Sequence, residues 1–169
     1  MLGHIDAKPK VGYFPGKAGA GNGDVHRKLR NLAVKDRMGR PVVIPDSATV
    51  NDAVISLFLE NVGSLMVADE TGSLCGLVSQ KDLLKVTLGN PNAASVPICM
   101  VMTRVPHLVT VRPDDSILDA ARKLMDHQVD ALPVVRAVGA PGEPARMEIA
   151  GRITKTHITR LMLDIALDL

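Results

Sequence analysis

Short apolar runs and helical stripes alternate along this chain in an order that is written twice. In the first copy, Val42-Val43-Ile44 reads as a short strand, turned by Pro45-Asp46-Ser47. Thr49 and Asp52 match a capping box with Asp in place of Glu, ahead of a helix striped by Val50, Ala53, Val54, Leu57 and Phe58. Gly63-Ser64-Leu65-Met66-Val67-Ala68 reads as a strand, Asp69-Glu70-Thr71-Gly72 as a hairpin turn, and Leu74-Cys75-Gly76-Leu77-Val78 as the returning strand. A helix over 81–88 follows, and Gly89-Asn90-Pro91-Asn92 stops it.

The second copy keeps the order. Leu108-Val109-Thr110-Val111 leads to the turn Arg112-Pro113-Asp114-Asp115, and Ser116 with Asp119 forms the matching cap. Ile117, Ala120, Ala121, Leu124 and Met125 occupy the helical stripe, and Asp130-Ala131-Leu132-Pro133-Val134-Val135 corresponds to the strand that begins at Gly63. Its hairpin, through Gly139, Pro141, Gly142 and Pro144, is longer, and the last helix carries Ile158, Leu161, Met162 and Ile165. Register agreement over about fifty residues marks a duplication. The expectation is an α+β fold of two βαββα repeats.

Each copy closes on the same motif, Gly76-Leu77-Val78-Ser79-Gln80-Lys81-Asp82 and Gly151-Arg152-Ile153-Thr154-Lys155-Thr156-His157. A strand that ends at a hydroxyl and turns at once into a helix leaves backbone N–H groups unpaired at the helix start. Those donors and the Ser79 hydroxyl suit a phosphate, and Asp82, one turn on, can accept from a sugar diol. The plainer alternative makes Ser79 an N-cap and Asp82 a first-turn charge.

Composition narrows the classes. Apolar residues make up 46% of the 169, so the chain folds around a core, and a net charge of +2 excludes a whole-chain nucleic-acid glove. Aromatics at 2%, with no Trp, exclude base-stacking platforms. Cys75 and Cys99 lack metal spacing and read as buried, reduced thiols of a cytoplasmic protein. His4, His26, His107 and His127 do not pair at metal spacing, so no metal site is expected. No run reaches membrane-spanning length, and no glycine elbow presents a nucleophile, so neither membrane insertion nor catalysis is expected.

The N-terminal stretch reads as a Pro, Gly and Lys-rich linker with one apolar point at Val11, Tyr13 and Phe14. Its Gly12 and Gly16-Lys17-Ala18 fail as a phosphate loop, because the spacing is one residue short and Ala18 replaces the magnesium-holding hydroxyl. Asp24 is expected to cap a short helix in which Val25, Leu29 and Leu32 share a face.

With the repeat laid out, the chain resembles a tandem pair of CBS domains (cystathionine β-synthase domains, a Bateman module). The βαββα order, Val101-Met102-Thr103 before the second copy, and the two closing motifs carry the likeness, over roughly 32–163. Ala7-Lys8-Pro9-Lys10-Val11-Gly12-Tyr13-Phe14, Phe58-Leu59-Glu60-Asn61-Val62-Gly63 and Met102-Thr103-Arg104-Val105-Pro106 look like the C-terminal half of the catabolite-control repressors of gluconeogenic genes in Gram-positive bacteria. In that family a winged helix-turn-helix precedes the segment at Val11. The resemblance therefore implies a linker and short helix over 1–31 after an absent DNA-binding domain, a first repeat over 32–90 and a second over 91–169. DNA would be reached only through that missing domain.

The resemblance further implies a pseudo-two-fold pair with two clefts between the repeats, binding AMP, ADP or ATP as a regulatory ligand, in a homodimer. The first cleft would use Ser79 and Asp82 with Val109, Thr110, Asp130 and Ala131. The second, weaker cleft would use Thr154 and His157 with Val42, Val43, Gly63 and Ser64. His157 stands where the family has a carboxylate and cannot accept from both hydroxyls of a diol. Lys81, Arg104 and Lys155 are the phosphate candidates. A ligand-free dimerisation scaffold and a regulatory fragment of a metabolic enzyme are the alternatives.

Overall fold

The computed structural model describes residues 22–169; the expectations for the linker, for Val11, Tyr13 and Phe14, and for His4 lie outside the described residues. Helix α1 (Asn22–Asn31) leads into the first copy: β1 (Val43–Pro45), α2 (Val50–Leu59), β2 (Ser64–Ala68), β3 (Leu74–Ser79) and α3 (Gln80–Gly89). Strand β4 (Thr103–Arg104) precedes the second copy: α4 (Ile117–Asp126), β5 (Ala131–Val138), β6 (Arg146–Thr154) and α5 (Lys155–Ala166). One sheet has the order β1-β2-β3-β4, with β1 parallel to β2 and the other pairs antiparallel. The other pairs β5 with β6 and is extended by a parallel bridge from Val111 to Val134, where the sequence suggests the second copy's first strand.

The expected caps form. Thr49, Ser79, Ser116 and Thr154 are the N-caps of α2, α3, α4 and α5, and each side chain accepts from the backbone N–H three residues on. Asp24 instead lies inside α1, pairing with Arg27 at 2.6 Å and Lys28 at 3.5 Å. The helix stripes are narrower than the sequence suggests. Val50, Ala53 and Leu57 are buried, whereas Phe58 is 79% exposed, because a residue next to Leu57 is turned about 100° around the helix. Met125 and Met162 are exposed for the same reason.

Each core is completed by the chain that leads into the other copy. Val34, ahead of the first copy, is fully buried among Val111, Ile117, Leu124 and Ile153 of the second, where Leu29 of α1 also packs. Ile98, ahead of the second copy, is fully buried among Val50, Leu57, Leu65 and Val78 of the first. The hydrogen bonds match in pairs. Val34 N donates to Asp115 O at 2.8 Å and Ile98 N to Ala48 O at 2.7 Å; Ile117 N donates to Leu32 O and Val50 N to Val96 O, both at 2.9 Å. Strand β4 closes the first sheet by pairing Thr103 with Leu77, and Gly39 bridges Arg152 in the second. The sequence repeat and the physical cores therefore have different boundaries. Between the copies, Met66, Leu74 and Val135 are buried with Leu77, Leu108, Met147 and Ile149 around them.

Ile98→Ala removes a side chain that the second copy lends to the first, and a change of this kind costs about 2–5 kcal/mol of unfolding free energy. Urea denaturation measures it; a loss below about 1 kcal/mol would contradict the exchange.

Candidate functional site

The two motifs take one local form. Strands β3 and β6 run straight into α3 and α5, with Ser79 and Thr154 in extended backbone at the junction. Asp82 Oδ2 accepts from Ser79 N at 2.9 Å and from Ser79 Oγ at 2.7 Å. Among the described residues nothing donates to Asp82 Oδ1. The capping box thus engages one carboxylate oxygen of this half-buried side chain and leaves the other open. At the second motif, Thr154 Oγ1 accepts from His157 N at 3.2 Å, and the imidazole returns no bond.

Strand pairing regroups the clefts expected from the sequence. Ser64 is the cross-strand partner of Ser79, and Gln80 N donates to Gly63 O at 3.1 Å. Ala131 is the partner of Thr154, and Lys155 N donates to Asp130 O at 3.2 Å. Gly63 and Ser64 therefore belong beside Ser79 and Asp82, and Asp130 and Ala131 beside Thr154 and His157, the reverse of the expected exchange. The first strands follow their own sheets: Met66 N donates to Val42 O at 2.9 Å, Val43 pairs with Met66, and Val111 N, just after Val109 and Thr110, donates to Pro133 O at 3.0 Å. The reason is topological. Because β1 and β2 are parallel and β3 returns antiparallel, the beginnings of β1 and β2 lie at the same sheet end as Ser79.

The phosphate candidates differ in availability. Lys81 is exposed. Arg104 donates to the carbonyl of Cys99, and Lys155 is paired with Asp130 Oδ1 at 2.9 Å.

Around His157 at the second motif the structure gathers residues that lie far apart in the chain. The His157 ring lies on Gly39: a Cβ there would stand 2.7 Å from Cε1, 3.0 Å from Nε2 and 3.8 Å from Arg152 Nε. A side chain at position 39 would have to displace the imidazole from this place. Arg40, the next residue, is paired with Glu60. His157 Nδ1 and Arg152 Nε are both buried without a hydrogen-bond partner among the described residues. An unsatisfied buried polar atom costs about 1–3 kcal/mol, more for a charged group. Burial, then the Arg152 charge, lowers the His157 pKa from the ordinary 6.5. Burial, then Arg40, likewise lowers Arg152, against the opposing pull of Glu60. Superposing the two lead-ins by register, Met38-Gly39-Arg40 on Met102-Thr103-Arg104, would have exposed this difference from sequence: Gly39 answers Thr103, and Arg152 answers Leu77.

Two cavities, of about 410 and 310 Å³, lie elsewhere, one between α1 and α5 beside Leu32 and Leu161, the other beside Val54 and Ala93. Neither is lined by Ser79, Asp82, Thr154 or His157. Among the described residues no group of three or more His, Cys, Asp or Glu could hold a metal ion, and no helix is long and apolar enough to cross a membrane. Cys75 and Cys99 are free and half-buried rather than fully enclosed; burial pushes the Cys75 thiol up.

The family model for the CBS domain matches twice, over residues 34–89 and 98–164. The transcriptional repressor CcpN of Bacillus subtilis (strain 168) is 39% identical over 167 residues, which cover 98% of this chain and 76% of the repressor. Among solved structures, CBSX2 in complex with AMP is 30% identical with a TM-score of 0.64, over 80% of this chain and 98% of that one. The CBS domain pair of protein MJ0100 in complex with 5'-methylthioadenosine and S-adenosyl-L-methionine is 25% identical with a TM-score of 0.64, over 77% of this chain and 94% of that one. The chain belongs to the CBS-domain family, as a tandem pair that is similar over nearly its whole length to the CcpN repressor.

Proposed function

We propose that this chain is the ligand-sensing module of a bacterial transcription regulator, that it binds adenine nucleotide at the Ser79–Asp82 motif, and that it relays occupancy to a DNA-binding domain attached ahead of α1. The observation that carries this reading is the half-buried Asp82 carboxylate with one oxygen open, next to the Ser79 hydroxyl and the first turn of α3. A ribose diol would take the open oxygen, and the Ser79 hydroxyl, released from Asp82, would turn with the α3 N–H groups toward phosphate. The beginnings of β1 and β2, at Val42, Val43, Gly63 and Ser64, would border the base. The likeness to CBSX2 in complex with AMP supports the ligand class, and the likeness to CcpN supports the regulatory role. Catalysis has no part in this reading.

Relay has a physical route. Helix α1 packs through Leu29 on the second copy's core, so a change in the angle between the copies displaces whatever precedes α1. A coupling of about 1–3 kcal/mol suffices for regulation. Calorimetry with AMP, ADP and ATP tests the ligand: at least one gives saturable heat, and Asp82→Ala weakens it at least about tenfold, since hydrogen bonds to a charged acceptor contribute about 1.5–3 kcal/mol each. No heat from any nucleotide at concentrations that reveal millimolar affinity would overturn the reading.

A second observation supports self-association of the same module. Phe58 and Leu59 at the end of α2 are 79% and 81% exposed, with Ile55 half-exposed on the same helix. We expect a homodimer through this helix. In sedimentation, Phe58→Asp shifts the chain toward monomer; an unchanged dimer, or a monomeric parent, would contradict that role.

A further inference from the structure

The start of β6 in the second copy meets the hairpin turn of the first. That turn is fixed by Asp69, whose Oδ1 accepts from Thr71 N at 2.9 Å, Thr71 Oγ1 at 2.7 Å and Ser73 N at 3.0 Å. Gly72, at a φ of 79°, supplies the left-handed residue that closes it. With these donors engaged, the turn presents two acceptors to the other copy. Arg146 Nη2 donates to Thr71 O at 2.9 Å, Met147 N donates to Ser73 Oγ at 3.0 Å, and Ser73 and Glu148 form an antiparallel bridge. The second copy has no such turn. Its strands run on as a ribbon to Val138 and Arg146, beyond the positions equivalent to Ala68 and Leu74, where β2 and β3 meet their turn.

These contacts fall where the copies are related by a two-fold. Glu148 follows Ser73 by the interval at which Gly151 follows Gly76 and Thr154 follows Ser79, so the bridge joins equivalent positions, as happens on such an axis. About 20 Å of strand separates Ser73 from Ser79, and the same length separates Glu148 from Thr154. Elsewhere the two cores meet through Met66, Leu74, Val135 and the side chains around them, an apolar contact without direction. Among the described residues their other polar link is Arg40 with Glu60, beside the point where the chain crosses from one core to the other. We infer that the Ser73–Glu148 contact is the pivot of the pair: the two cores turn about it, with the hairpin end held closed and both motif ends moving alike. A rotation centred there strains the three contacts least, whereas sliding of one core along the other breaks them, because hydrogen bonds are directional and apolar packing is not. The pivot follows from the fold; its service in relaying occupancy rests on the sensing reading above.

The test uses the full chain without nucleotide and reads residual dipolar couplings of the backbone amides in β2, β3, β5 and β6. In the parent, one alignment tensor fits both cores. In Ser73→Ala combined with Arg146→Ala, each core keeps its internal fit while the two separate into different tensors. Ser73→Thr, which keeps the hydroxyl, retains the single tensor. So does Arg136→Ala, which loses only its pairing with Glu148 at 3.4 Å inside the second copy. In Ser73→Ala alone, the Met147 amide exchanges with solvent about threefold to tenfold faster, as one lost hydrogen bond requires; this readout serves where the double variant does not fold. Separate tensors already in the parent, a single tensor in the double variant, separate tensors in Ser73→Thr, or a Met147 amide that keeps the parent's rate in Ser73→Ala overturns the proposal. If nucleotide gives heat that Asp82→Ala weakens while the double variant keeps one tensor, the sensing reading stands and this one falls. If the tensors separate and no nucleotide gives heat, the pivot stands alone.

Discussion

The exchange of lead-in segments between the copies is the constraint on which the rest of the molecule depends. A repeat of this size, built from a few short strands and two helices, cannot cover both faces of its own sheet. Val34 and Ile98, fully buried and each lent to the opposite core, close those faces. Strand β4 and the bridge at Gly39 then seal the sheet edges beside the two motifs. Because the wall next to each motif is the lead-in to the other copy, neither motif can respond to a ligand without involving both copies.

From that arrangement follows the asymmetry between the motifs. The same strand-to-helix junction, with the same capping hydroxyl, ends in a carboxylate in one copy and an imidazole in the other. The lead-ins changed in step. Gly39 makes room for His157, whereas its counterpart Thr103 pairs with Leu77 in a copy that has no imidazole to seat. Duplication supplied two equivalent junctions, and the residues around them gave one a carboxylate and the other an imidazole beside an arginine.

Much of this was legible in the sequence, because the repeat, the caps and the closing motifs are local patterns whose physics lies within a few residues. Thr49, Ser79, Ser116 and Thr154 cap their helices as the spacing requires. The grouping of the site was not legible, since it depends on which strand ends share a sheet edge, and strand register between distant segments leaves no local trace. Ser64 beside Ser79, and Ala131 beside Thr154, emerged only with the pairing. A stripe drawn by hydrophobicity alone takes in Phe58, Met125 and Met162, and is wider than the face a sheet can cover. The Gly39, Arg152 and His157 contact joins residues far apart in the chain, and only a comparison of the two lead-ins would have pointed to it.

The exchange is tested most directly by the cooperativity of urea unfolding in isolated segments cut in two ways. Segment 41–104 breaks the sequence repeat but keeps Ile98 and β4 with the first core; segment 32–90 respects the repeat and loses both. The account expects a sharp, reversible transition for 41–104 and none for 32–90. A segment 32–90 that unfolds as cooperatively as 41–104 would show that each copy completes itself, and would contradict the exchange.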